Sequence, residues 1–363
     1  MSDLVPFDIQ IEFIKKLPIR SLIRFRSVSK AWKSLIDSSK FIHDNCLRDN
    51  QPHHLLVSYY LRSMPKYVSI MDDDSFPQNK FSPIAPVTLN RPRLKKLGSS
   101  RGIICILIIN SDMVVLWNPT IRKSVGIAIP NMLDSHGYTA FGFGVCPGTS
   151  DPKLVKITYI KSSPTEWEVE MFTLSSGDWR SIPIDMPFNK PVRLLWDNVC
   201  INGVIYWCAG SENKHNRIIS FDLTSEEFGE VFLWDSLARS TEDLFVSKLM
   251  DSLVVIIKSY NEVDEPGCDV WKMNHGVMKS WTKLYTVRPS AIGLSIIEFR
   301  KNGEPIIEAI DEYGSIILEV YDPCSRHVRD LKFDGNENLL TSCFVSSYTE
   351  TLALLHQSDS IIY

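Results

Sequence analysis

An aromatic residue, a polar turn and a second apolar run recur along most of this chain at a spacing near 50 residues, and that repeat restricts the fold more than any other feature. The anchors Tyr67, Trp117, Phe172, Phe221, Trp271 and Tyr321 stand 50, 55, 49, 50 and 50 positions apart. Around them the text reads LWNPTIRKSVGIAIP, FTLSSGDWRSIPI, FDLTSEEFGEVFLW and VYDPCSRHVRDLKF. Such short β-branched and aromatic runs between turn residues are antiparallel strands. Hairpin signals stand at Asn110-Ser111-Asp112, Asn202-Gly203 and Asn302-Gly303, because Asn-Gly tolerates the positive φ of a tight hairpin. A small antiparallel sheet cannot bury both faces alone, so successive units must pack on one another. Six copies predict six blades of a closed all-β propeller. DDDSFPQNK interrupts the copy at Tyr67, so the closing blade is expected to borrow strands from both ends, residues 54–60 with residues 352–356.

The repeat does not reach the first fifty residues, which differ in charge as well. They hold nine Lys or Arg against six Asp or Glu, a surplus of three in a chain of net charge −4, which leaves −7 for the rest. At 363 residues the chain passes the size at which one core stops growing. The organisation expected is therefore α+β and multidomain, with a helical module at residues 1–48 and a β domain at residues 53–363. The basic cluster from Arg20 to Lys33 could contact nucleic acid, but it has no accompanying recognition motif or stacking aromatics and reads as a solvated face, so no nucleic-acid partner is expected. No apolar run approaches the ~20 residues that span a bilayer, so no membrane partner is expected. Eight scattered cysteines without a C-x-x-C pair read as buried reduced thiols. The location expected is the cytoplasm, the nucleus or both.

Within the module, Leu22, Phe25, Val28, Trp32, Leu35 and Ile36 form one helical stripe, with Arg20, Arg24, Lys30 and Lys33 largely opposite. Pro18 marks the start of a helix, since its missing N–H would be unsatisfied there anyway. Upstream, Phe7, Ile9, Ile11 and Phe13 alternate strictly with polar residues, and the period alone would make them a strand.

The ordered run Val5-Pro6, Ile9, Phe13-Ile14, Leu17-Pro18, Leu22, Val28 and Trp32 resembles the F-box, with Val5 in place of its usual leucine and Gln10 where an apolar residue is common. The resemblance implies a three-helix module docking on the small linker protein of a cullin-RING ubiquitin ligase. The residues it implicates are Val5, Pro6, Ile9, Phe13, Ile14, Leu17, Pro18, Leu22, Val28 and Trp32. About forty residues without metals or disulfides bury too little apolar surface to stand alone, so their apolar side chains need another chain or the rest of this one. Residues 98–333 likewise resemble the kelch-like F-box-associated interaction domain of plants, through Leu116-Trp117-Asn118-Pro119, Phe141-Gly142-Phe143-Gly144, Asn202-Gly203-Val204-Ile205-Tyr206-Trp207 and Tyr321-Asp322-Pro323. The pairing implies an adaptor that brings an unknown protein substrate to ubiquitination. The alternative is a glycan- or small-molecule-binding propeller, which would show a concave rim of exposed aromatics.

Chemistry of its own is not expected. Gly98-Ser99-Ser100-Arg101-Gly102 fits G-x-S-x-G, but a strand follows it where a nucleophile elbow needs a helix. Phe141-Gly142-Phe143-Gly144 is better suited to a strand whose glycines admit a neighbouring blade than to a phosphate loop. Asp72-Asp73-Asp74 lacks the spaced ligands of a calcium loop and reads as solvated. His53-His54 has no cysteine at zinc spacing. The nine tryptophans read mainly as blade core, and no cofactor or metal is expected.

Overall fold

Local signals at the amino end are resolved as helices. Pro6, with φ −50° and ψ 142°, leads into α1 (Phe7–Lys15), where Asp8 in the first turn and Lys15 in the last complement the helix dipole. The alternating apolar residues thus belong to a helix, and they spread around it. Pro18 precedes α2 (Ile19–Phe25). The hydroxyl of Ser29 accepts from Trp32 N at 3.0 Å and caps α3 (Lys30–Ile36). A fourth helix, α4 (Ser39–Cys46), continues the module. The computed structural model describes residues 5–46, 48, 51–61, 64–91, 93–109, 111–130, 137–160, 163–183, 193–210, 216–240, 242, 244–260, 266–274, 280–288, 292–310, 315–331, 343–357 and 360–362.

The remaining chain forms six sheets, antiparallel but for one added strand, arranged as a six-bladed propeller. Blade 1 receives β1 (His53–Leu61), β2 (Met64–Met71) and β3 (Lys80–Phe81). Blade 2 is β4 (Leu94–Ser100), β5 (Ile103–Ile108), β6 (Met113–Asn118) and β7 (Lys123–Ala128). Blade 3 is β8 (Gly137–Val145), β9 (Pro152–Ile160), β10 (Ser163–Thr173) and β11 (Asp178–Ser181). Blade 4 is β12 (Arg193–Ile201), β13 (Val204–Gly210), β14 (Asn216–Asp222) and β15 (Phe228–Val231), followed by the single turn α5 (Asp235–Ala238). Blade 5 is β16 (Leu244–Leu249), β17 (Ser252–Tyr260), β18 (Pro266–Asn274) and β19 (Ser280–Val287). Blade 6 is β20 (Ile292–Phe299), β21 (Pro305–Ile310), β22 (Ile316–Tyr321) and β23 (Val328–Asp330). Last come β24 (Cys343–Thr349) and β25 (Ser360–Ile362).

Closure joins the chain ends, but not through the segment expected. β24 is the innermost strand of blade 1 and runs antiparallel to β1, with His54 opposite Tyr348 and Val57 opposite Val345. Residues 352–356 are not a strand, 353–356 forming a turn instead, and β25 lies parallel to β7 as a fifth strand of blade 2. All six anchors fall on the third strand of their blades. Trp117, Phe172, Phe221, Trp271 and Tyr321 pack towards the preceding blade. Tyr67 faces the following one and meets Trp117 edge-on at 5.3 Å. Side chains alternate along a strand, so the copy broken by the long turn is displaced by one residue in phase.

Among the described residues, six of the seven apolar clusters lie between neighbouring blades, as a sheet sealed only by its neighbours demands. Close approach is built in at Gly142 and Gly144. A Cβ at Gly142 would overlap the Trp207 ring, and one at Gly144 would stand 2.5 Å from Cys200 Sγ. The Phe-Gly-Phe-Gly run is therefore a strand that admits the next blade. Among hairpins, Asn202-Gly203 joins Ile201 and Val204 with φ of 49° and 83°, the geometry its sequence predicts.

Candidate docking surfaces

The seventh cluster binds the helical module to the propeller. Ile14, Ile19, Leu22, Ile36 and Phe41 pack with Leu352 and Leu355, from the segment that was expected to be a strand, and Ile121 closes against them. Polar contacts frame this core. Arg20 approaches Glu350 at 3.5 Å and lies over the Phe81 ring. His43 Nδ1 and Ser150 Oγ are 2.6 Å apart, and Arg101 donates to Cys46 O. The segments in contact, including the β4–β5, β6–β7 and β8–β9 connections, all emerge on one face of the propeller. In a blade of antiparallel strands, the turns from first to second and from third to fourth strand share that side.

The opposite side of the module faces water. On α1, Phe13 is 68% exposed and Ile9 49%, four residues apart and so on one face. Val5, Phe7 and Val28 are also exposed. Gln10, at the position that departs from the usual apolar residue, ties the module together: its Oε1 accepts from Trp32 Nε1 at 2.9 Å and its Nε2 donates to Val5 O at 2.8 Å. Trp32 in turn stands edge-on to Phe25 at 5.2 Å.

A second concavity, of about 540 Å³, lies along the propeller axis. Its lining comes from β4, β12, β16, β20 and β24, with Lys258, Cys268 and Glu308 from strands behind them. β8 is set back, for Asn198 on β12 donates to Phe141 O at 3.0 Å and closes that side. Charges within it are largely engaged. Lys96 donates to Val345 O at 2.6 Å and lies 3.4 Å from Glu298, which also accepts from Ser347 N. The Cys343 thiol donates to Glu308, and burial together with that carboxylate pushes its pKa up. Burial lifts Cys268 to about 11 and raises Cys200 as well. These thiols stay protonated and are poor nucleophiles.

Residues 66–357 match the F-box associated beta propeller domain, and residues 3–44 match the F-box domain. The chain belongs to the F-box associated β-propeller family. Similar proteins include the F-box protein At5g18160 of Arabidopsis thaliana, 26% identical over 92% of this chain and 83% of the relative. The F-box protein CPR1 of the same plant is 26% identical over 78% of this chain and 73% of its own. The F-box/kelch-repeat protein At3g23880 is 24% identical over 78% and 79%. Among solved structures, TolB from Acinetobacter baumannii aligns with 82% of this chain and 66% of its own at 9% identity, with a TM-score of 0.49, too slight a likeness to argue from.

The ten residues singled out in the F-box separate into groups. Val5, Pro6, Ile9, Phe13 and Val28 are exposed, and Pro18 is exposed beside Arg20 at the junction. Leu17 and Trp32 are half-buried. Ile14 is 3% exposed and Leu22 0%, so these two hold the F-box to the propeller and are not available to an outside chain. Phe7 was missed; its exposure becomes visible only once α1 is known to be a helix. On the propeller, Trp196 and Trp234 are exposed rather than core. So is Cys324, against the buried reading given to all eight thiols.

The dismissed motifs are explained by their contacts. Ser100 ends β4 before a two-residue turn at Arg101 and Gly102, and its hydroxyl accepts from Val145 N at 3.1 Å. Asp72 is not solvated: it is buried and accepts from Arg300 Nε at 2.9 Å and Lys301 N at 2.6 Å. His54 is buried against Tyr348, with ring centroids 5.1 Å apart. Among the described residues no group of three His, Cys, Asp or Glu is arranged to hold a metal ion. Among the described residues the aromatics lining the channel are Phe245 and Phe344, both half-buried, with the exposed Trp196 beside Lys95, a poor match to an aromatic sugar-binding rim.

Proposed function

We propose that this chain is the target-recruiting subunit of a cullin-RING ubiquitin ligase and performs no chemistry itself. Residues 1–48 dock on the small linker protein, and residues 53–363 hold the protein to be ubiquitinated. One observation carries this reading: the F-box is sealed on one side by Leu352 and Leu355 while Ile9 and Phe13 remain in water on the other. Clustered exposed apolar side chains on a folded protein mark an interaction surface. A module anchored to its own propeller has no need of that second face for folding. Ubiquitin transfer is then accelerated by tethering, which raises the effective concentration of the target near the loaded enzyme.

The face of the propeller away from the F-box is the one left for the target. Met64, Ile84, Val87, Ile109 and Ile310 are exposed on connections and strand ends of that side. The test is co-purification of the linker protein with the wild-type chain and with Ile9→Asp/Phe13→Asp, alongside proximity labelling with the proteasome blocked. Loss of the linker, and of labelled targets that accumulate under the block, is expected of the double variant. Undiminished linker recovery overturns the docking assignment.

A further inference from the structure

From Ser75 to Ser111 the chain has no acidic residue but six cations, Lys80, Arg91, Arg93, Lys95, Lys96 and Arg101, in a protein of net charge −4. Two of these are spent internally, since Lys96 serves Val345 O and Glu298 and Arg101 reaches Cys46 O. Lys80 lies in β3 at the outer edge of blade 1. Arg91 and Arg93 are exposed, their guanidinium groups making no hydrogen bond or ion pair among the described residues, and Lys95 lies over the Trp196 ring at 4.4 Å.

Arg91 and Arg93 stand on the β3–β4 connection, and Lys95 follows at the start of β4; the connection leads from the outer edge of blade 1 to the channel. Its course is fixed at several points. Tyr67 OH donates to Leu89 O at 3.1 Å, Tyr60 OH accepts from Leu94 N at 2.9 Å, and Ile109 N donates to Arg93 O at 3.0 Å. Leu89 itself is buried as a plug. Earlier in the same connection Ile84 is 58% exposed and Val87 83%. Asp112 on the adjoining turn and Asp197 beside Lys95 offset part of the charge, while Lys258 at the channel adds to it. Glu308 lines the same channel, so Arg91, Arg93, Lys95 and Lys258 stand against three carboxylates; the excess of positive charge lies at Arg91 and Arg93, with apolar residues at its outer end, held in place before any partner arrives. Such preorganisation lowers the cost of binding.

We propose that this connection receives an extended acidic segment of the target protein, its carboxylates on Arg91, Arg93 and Lys95 and an apolar side chain against Ile84 and Val87. The proposal rests on the recruiting role proposed above and names the chemistry of what is recruited. Guanidinium groups match carboxylates in a bidentate geometry. A positive sector also speeds the encounter with an acidic partner and disfavours a basic one. A peptide is favoured over a nucleic acid because charge alone would leave Ile84 and Val87 idle.

The test is selection of a random dodecapeptide phage library against the full chain bound to its linker protein. The recovered peptides are expected to carry an excess of Asp and Glu beside Leu, Ile or Phe. Their affinity should fall about tenfold with Arg91→Glu/Arg93→Glu and weaken steeply with salt. Neither linker binding nor melting temperature should change. Ile84→Ser/Val87→Ser should weaken the same peptides without altering the salt dependence. Recovered peptides that lack the acidic excess, or that bind the charge-reversed chain equally well, overturn the assignment and leave the recruiting role standing. A single-stranded RNA that binds with the same dependence on Arg91 and Arg93 while the peptides do not also overturns it. Recovery of no peptide by a chain that captures its linker counts against the recruiting face itself.

Discussion

Replacing Ile9 and Phe13 together by alanine separates docking from folding. Full burial of an Ile or Phe side chain is worth about 1.5–3 kcal/mol. With 68% of Phe13 and 49% of Ile9 exposed, the part still open to a partner is about 1–2 kcal/mol for Phe13 and about 0.7–1.5 kcal/mol for Ile9. The sum, about 1.8–3.5 kcal/mol, corresponds to a loss of about 20- to 300-fold in linker affinity at 1.4 kcal/mol per tenfold. Because both side chains face water in the free protein, the melting temperature should stay close to wild type. Ile14→Ala is the opposite control: it opens a cavity in the F-box core and should cost about 2–5 kcal/mol of stability there. The assay is titration calorimetry with purified linker protein, paired with thermal unfolding of each variant. A double variant that binds within threefold of wild type, or that melts as early as Ile14→Ala, refutes the assignment of this face.

Three further outcomes follow from the packing. Leu352→Ala should loosen the F-box from the propeller at about 2–5 kcal/mol, seen as faster amide exchange in α1 and α2 while the blade strands keep their protection. Gly142→Ala should destabilise the propeller by about 1–3 kcal/mol, because its Cβ must displace the Trp207 ring, and thermal unfolding checks it. Burial raises the pKa of Glu226, but Lys153 at 2.9 Å and Arg180 outweigh it and hold the carboxyl below its ordinary value. A carboxylate with a depressed folded-state pKa contributes stability above about pH 4.5, which is lost as the pH falls through the folded value. Glu226→Gln should therefore cost about 1–3 kcal/mol at neutral pH and flatten the acid limb of the denaturation midpoint below pH ~4.5.

Much of this protein is written locally. The spacing of Trp117, Phe172, Phe221, Trp271 and Tyr321 determined the blades, because each four-stranded unit repeats one packing problem and solves it with the same third-strand aromatic. Asn202-Gly203 and the glycines at 142 and 144 likewise announced a hairpin and a close blade contact through backbone constraints of their own. What depended on residues far apart in the chain was not legible. Tyr67 differs from its five counterparts in phase, which only its contact with Trp117 reveals. Asp72 reads as one of three solvated carboxylates until the fold brings Arg300 to it. Closure falls to β24 rather than to residues 352–356, whose Leu352 and Leu355 pack under the F-box helices. The same long-range packing turned Ile14 and Leu22 inward and left Ile9 and Phe13 outside. A short amphipathic module carries more apolar surface than it can cover itself, and only tertiary packing determines which part its own chain seals.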